Sequence, residues 1–542
     1  MCIEDPLGVF DAASGQVRHA DAAATHLRSI GAVRWLSEQC VAQCISLSEK
    51  KSDVAARPPV PSVEAAKEVE GEAAKDTEGK AVENAGITEN QQLLLRWQRL
   101  GQLLLLLSVM CDDSHNVSIL QEKGLRLVLK CAKLLGSDST VQLLQQKEIS
   151  VDTVLSVVKF LRRCANTDDS AKAHLRKVAG VPRALGTVLL AYMQPSVLEE
   201  TVDVVNSLAR SNDASAQESD GMRALAICKT VCPLPGDSTT TTTLFQIIGG
   251  LLLLPRAAAK GKVVSTEDLQ RSTCVCLANL MRKPPVRSLL SQKVHPITRG
   301  LTFVSVLVSV ATRRGNTTQL TQHAMAALIN ASLEPSTCAA ISTVATEPLL
   351  DMFATTKDTD LNERTAMLLS RCARSPAGIS ILSKPGSLQK LLEACKQSVS
   401  LCRHVSSAVA IILSRSQSDS SLCEALLNVM EGHNGVGVLT DPCVLPREEA
   451  GYRQSAGNII TCGNAFSALI VCCKSAVLIQ KMAKVGIIPI LITALKTLPD
   501  GLARKNVGKL IGRVVQGDAK LLEEFKRLHG MDVLMQLGSK LV

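Results

Sequence analysis

The sequence predicts an all-α fold built as a stack of repeats, and three observations carry that prediction. A chain of 542 residues is too long for one compact core unless the core is one-dimensional. Apolar residues make up 46% of it, yet aromatics only 2%. A core of Leu, Val, Ile, Ala and Cys between thin stacked helices needs little aromatic bulk. Finally, apolar residues recur at helical spacing in short blocks, and alternating strand patterns are scarce.

The clearest block closes the chain. Val507, Leu510, Ile511, Val514 and Val515 form one helical stripe, and Leu521, Leu522, Phe525 and Leu528 a second. His529-Gly530 then breaks the pattern, and Met531, Val533, Leu534 and Leu537 form a third. A glycine there permits a sharp reversal. None of these helices can bury its apolar face alone, whereas stacked copies can.

The same grammar runs back through the chain. Residues 1–47 hold one degenerate helical unit. Residues 48–90 contain RPPVP and a Glu/Ala/Lys-rich run without aromatics, which predicts a disordered insertion. Residues 91–542 carry the repeats, with loop insertions expected near 211–220, 233–243, 255–266 and 432–454. Gly-hydrophobic turns lead into the third helix of a repeat at Gly124, Gly180, Gly221, Gly386, Gly486 and Gly530; His295-Pro296 and Glu347-Pro348 take that place in two repeats. Gly180 to Gly221, Glu347 to Gly386 and Gly486 to Gly530 are 41, 39 and 44 residues apart.

A period near 40 with three helices per repeat resembles the armadillo repeat, whose units run about 40–47 residues. The resemblance extends to HEAT repeats, since several turns lack the glycine. It implies a right-handed superhelical α-solenoid of about nine or ten units. Peptide-binding armadillo proteins carry an asparagine late in the groove-lining helix of successive units. The matching positions here are Asn206, Asn279 and Asn330, with Arg163, Arg371, Arg415 and Arg513 in the other rows. An amide donates and accepts at once and can hold a peptide bond from both sides. A guanidinium only donates and favours carboxylates or phosphates. The alternative is that these residues are simply the polar edge of each helix. The groove tryptophans of importin-type proteins are missing, since Trp35 and Trp97 fall elsewhere, so nuclear-import receptor function is not expected.

The net charge is +10, and a basic face is expected at the C-terminal end from Arg504, Lys505, Lys509, Lys520, Lys526 and Arg527. It points either to a solvated surface or to an acidic protein partner. Nucleic acid is disfavoured, because aromatics for base stacking are lacking. The 19 cysteines mostly sit inside apolar helical runs, which predicts reduced, buried thiols. No signal peptide pattern opens the chain, and a cytoplasmic location is the expectation. No stretch reads as membrane-spanning, and no catalytic, metal or cofactor motif is present: HExxH, GxxxxGK[ST] and GxSxG are all absent.

The expected function is therefore a non-catalytic scaffold or adaptor that holds a protein segment, extended or acidic, along the concave face. The alternative is a co-chaperone or assembly factor holding a folding client. The closing repeat, ARKN followed by LHGMDVL, resembles the armadillo end of tetratricopeptide-armadillo proteins of the dynein-assembly and myosin-chaperone families.

Overall fold

The computed structural model describes residues 10–11, 16–17, 32–49, 88–111, 114–121, 126–178, 180–210, 217–235, 237–254, 266–296, 299–395, 399–440, 443 and 456–538. The expected disordered insertion at 48–90 lies almost wholly outside them, as do most of the expected loops at 255–266 and 432–454 and the turn at Gly124. The described residues form 28 helices and two short hairpins, an all-α repeat solenoid.

Ten long helices organise it: α1 (Ala32–Glu49), α2 (Glu89–Met110), α3 (Val151–Thr167), α4 (Pro195–Ala209), α5 (Glu267–Met281), α6 (Thr318–Ala331), α7 (Thr359–Cys372), α8 (Val399–Ser416), α9 (Ala456–Cys472) and α10 (Leu502–Gly517). The chain divides into two compact bodies. One is Met1–Cys276 with Val294–Pro296; the other is Leu277–Lys293 with Ile297–Val542. Within the first, α1 packs on α2, α2 on α3 and α3 on α4. Within the second, α6 packs on α7, α7 on α8, α8 on α9 and α9 on α10. Between α3 and α4 run two shorter helices, Asp169–Lys177 and Gly180–Ala191, and two also separate α7 from α8, α8 from α9 and α9 from α10; a single long helix, Pro335–Thr355, joins α6 to α7.

Local chemistry sets the helix starts. Thr88, Ser150, Thr317 and Asp358 cap α2, α3, α6 and α7, each side chain accepting from a backbone N–H of the first turn. The short helix after a long one is capped the same way by Asp168, Ser375, Asp419, Ser475 or Asp518. Corners are closed from the other side. Asn116, Asn316 and Asn362 each donate Nδ2 to the carbonyl six residues back, at 2.9, 2.7 and 3.0 Å. Each satisfies a C-terminal carbonyl of the preceding helix that has no intrahelical partner.

The core is a file of aliphatic side chains with single large aromatics set along it. Phe160, Phe245, Phe303, Phe353, Phe466 and Phe525 are all fully buried. α2 is long and apolar enough to cross a membrane on composition alone. It is instead a core helix: Leu100, Leu104 and Leu107 are buried against α1 and α3.

Several sequence expectations are corrected here. Residues 233–243, expected as a loop, belong to an antiparallel hairpin of β3 (Val231–Leu234) and β4 (Asp237–Thr243); the first hairpin is β1 (Phe10–Asp11) with β2 (Gln16–Val17). Inward Cys232 pairs with inward Thr242, and both are buried, while Val231 faces out. Helix Gly180–Ala191 makes room at Gly186, where a Cβ would collide with Cys232 Sγ. The run of threonines hid this strand, because it carries no apolar alternation. Residues 217–220 of the expected 211–220 loop begin helix Gln217–Cys228, and residues 435–440 form a helix inside the expected 432–454 loop.

The turns differ in kind. Gly221 lies within helix Gln217–Cys228, and Glu347-Pro348 within helix Pro335–Thr355. Gly486 does adopt the left-handed conformation, at φ 67°. In the last repeat His529, not Gly530, takes it, at φ 56°. Gly180 is needed for a different reason: a Cβ there would fall inside Gly136 O, where the two backbones touch.

Candidate functional site: the polar edge of the long helices

The seven ladder residues of the sequence reading do lie on the long helices, near their C-terminal ends, but in unlike surroundings. Arg163 on α3 and Asn279 on α5 are half-buried, and both make contacts within the protein. Asn206 on α4 is buried, with 8% exposure. Arg415 at the end of α8 and Arg513 on α10 are exposed.

Asn330 and Arg371 are equivalent, and each reaches back to the preceding long helix. Asn330 Nδ2 donates to Ala278 O at 2.8 Å, in the last turn of α5. Arg371 Nη1 donates to Ile329 O, in the last turn of α6, and to Ser332 Oγ at 2.9 Å. Burial pushes its guanidinium pKa down. The same link recurs with other residues. Thr167 Oγ1 donates to Cys111 O at 2.8 Å, Ser207 Oγ to Asn166 Oδ1 at 2.5 Å, and Asn506 Nδ2 to Gly463 O at 3.1 Å. Cys111 O stands just past the end of α2, where carbonyls lack intrahelical partners, while Ser207 meets a side-chain amide and Asn506 a carbonyl inside α9. Part of the polar edge is thus committed to joining repeats. The rest is open. Asn330 Oδ1 accepts nothing among the described residues.

Around these tethers, α6 and α7 present a matched, half-buried face. Gln322, Ala326 and Asn330 on α6 correspond to Glu363, Met367 and Arg371 on α7, each 41 residues on. Glu363 lies 4.0 Å from His404 on α8. In the first body the edge is more strongly charged. Arg162 on α3 pairs with Glu200 and Asp203 on α4, at 2.6 and 3.5 Å. Burial holds the Glu199, Glu200 and Asp203 carboxyls above the usual range, with Arg162 working the other way on the last two. Sequence reasoning missed this network. Its signal was the acidic run Glu199, Glu200, Asp203, one turn apart on a helix, opposite the pair Arg162-Arg163.

The expected basic C-terminal face is partly self-neutralised. Arg504 turns back to Asp500 and Leu498 O, and Lys526 pairs with Glu523 at 2.8 Å. Lys505, Lys509, Lys520 and Arg527 are exposed.

The cysteines behave as small core residues. Cys164 Sγ lies 3.6 Å from Cys111 Sγ, and Cys44 Sγ 3.8 Å from Cys131 Sγ. Burial raises the thiols of Cys164, Cys274 and Cys276, that of Cys274 to about 12. Among the described residues no group of three His, Cys, Asp or Glu is placed to hold a metal ion.

No protein-family model matches the chain, and no curated protein matches it. Among solved structures it is similar to an engineered protein at TM-score 0.48 and 16% identity, covering 79% of this chain and 99% of that one. A second engineered protein gives TM-score 0.37 and 17% identity, with 50% and 97% covered. A designed armadillo repeat protein gives TM-score 0.37 and 16% identity, with 50% and 99% covered. The chain's own helices make it an all-α repeat solenoid. What its edge does rests on its own residues.

Proposed function

We propose that this protein is a non-catalytic interaction scaffold that holds a segment of a partner protein along the polar edge of its long helices. The observation that carries the reading is the matched face of α6 and α7. The two stacked helices set half-buried groups at one spacing, amide, methyl and amide on α6 and carboxylate, thioether and guanidinium on α7, with Asn330 Oδ1 left as a free acceptor. Such a surface offers many similar contacts in a row, which suits an extended segment better than a small molecule.

The test is photo-crosslinking in native cell extract. A photoreactive residue replaces Ala326 or Met367 on the proposed face, or exposed Asp351 on helix Pro335–Thr355 as the control. One protein cross-linked from both face positions and not from Asp351 supports the scaffold. Equal labelling from all three sinks it. Cross-linking to chaperones and large assemblies from every position favours the assembly-factor alternative.

A further inference from the structure

We propose that α10 is the docking site of an acidic extended segment, held by Lys505, Lys509 and Arg513. This deepens the scaffold reading and rests on it. α10 reads LARKNVGKLIGRVVQG and carries four cations and no carboxylate. One of the four, Arg504, is used internally by Asp500 and Leu498 O. The other three are exposed and pair with no carboxylate among the described residues. On other helices some surface cations do have an acidic partner: Lys390 with Asp351, Arg183 with Asp138 and Arg271 with Asp268.

The spacing selects the form of the ligand. Lys505, Lys509 and Arg513 follow at i, i+4 and i+8, so they rise along one face of α10 by about 6 Å per step. Alternate side chains of an extended strand are about 6.6 Å apart. A segment running along α10 with an acidic residue at every second position meets all three cations in register. Room for its backbone lies beside them. Gly508 and Gly512 sit inside the helix, where glycine is unfavourable, and a Cβ at either would meet only open space. Neither has a positive φ or a close neighbour that calls for glycine. Nucleic acid is the poorer occupant: the helix carries no aromatic side chain on which bases could stack.

The experiment uses the full chain and fluorescence anisotropy of a labelled peptide of alternating Glu and Ser, at low and at physiological salt. A peptide with the same Glu residues in one block, and a single-stranded oligonucleotide of equal charge, are measured beside it. The alternating peptide is expected to bind, and K505A/K509A/R513A to weaken it about tenfold, three surface charge pairs being lost. Circular dichroism confirms that the variant stays folded. G508A/G512A is expected to keep or raise helix stability while weakening the same peptide. Absence of peptide binding, binding unchanged in the triple variant, equal binding of the blocked peptide, or tighter binding of the oligonucleotide overturns the proposal. A partner that cross-links at Ala326 and Met367 but is indifferent to K505A/K509A/R513A would remove this inference and leave the scaffold standing.

Discussion

Replacing Arg371 separates a tether from a binding group. In the structure its Nη1 joins Ile329 O and Ser332 Oγ, and Nη2 lies 4.0 Å from Met367 Sδ. A hydrogen bond from a charged donor is worth about 1.5–3 kcal/mol. Two effects reduce the net loss on removal. Ile329 O keeps Ser332 Oγ as a donor, at 2.7 Å, so no carbonyl is orphaned. Burial also desolvates the guanidinium and pushes its pKa down, a cost that removing the charge relieves. Arg371→Met retains most of the stem and should cost about 1.5 kcal/mol. With m near 3 kcal/mol/M for a body of this size, that is about 0.5 M in the urea midpoint. Amide exchange should quicken in the last turn of α6, around Leu328 to Leu333, and not in α10. Arg371→Lys should not restore the loss, since one ammonium cannot span both acceptors in the same geometry. A midpoint unchanged within error, together with loss of the cross-linked partner, would refute the tether and make Arg371 a ligand contact.

Further outcomes follow from the same structure. Gly180→Ala should destabilise by about 2 kcal/mol or more because backbone must move, while Gly486→Ala should cost about 1 kcal/mol from its positive φ alone; Gly486→Asn, but not Gly180→Asn, should recover much of that in urea titrations. The raised carboxyls Glu199, Glu200 and Asp203 bind protons more tightly folded than unfolded, so their contribution to stability falls as pH rises from about 4 through their folded pKa values. Glu199→Gln should therefore raise the melting temperature at pH 7 and leave it nearly unchanged at pH 4. Brief alkylation of the native protein at pH 7.5 (about one unit below a free thiol's pKa) should modify Cys462, whose thiol is lowered by a hydrogen bond from Cys443, well before Cys164 or Cys276; peptide mass spectrometry gives the order.

The sequence by itself determined the class and the phase of the repeats. Apolar periodicity is a local property, so Val507, Leu510, Ile511 and Val514 could be placed on one buried stripe before any contact was known, and all four are buried. Cap residues such as Asp168 and Asp518 also act within one turn. Only the tertiary structure decided what required two segments far apart. The β3–β4 hairpin seats Cys232 in the space above Gly186, which no pattern of threonines announces. Gly180 was recognisable as a special position, but its reason, contact with Gly136, lies 44 residues away. The polar edge was the hardest case. Asn330 and Arg371 could be picked out by register, yet whether a donor faces a partner or the carbonyl of the repeat before it depends on how closely successive helices stack. That distance is set by all the core side chains together, and it is invisible in any one of them.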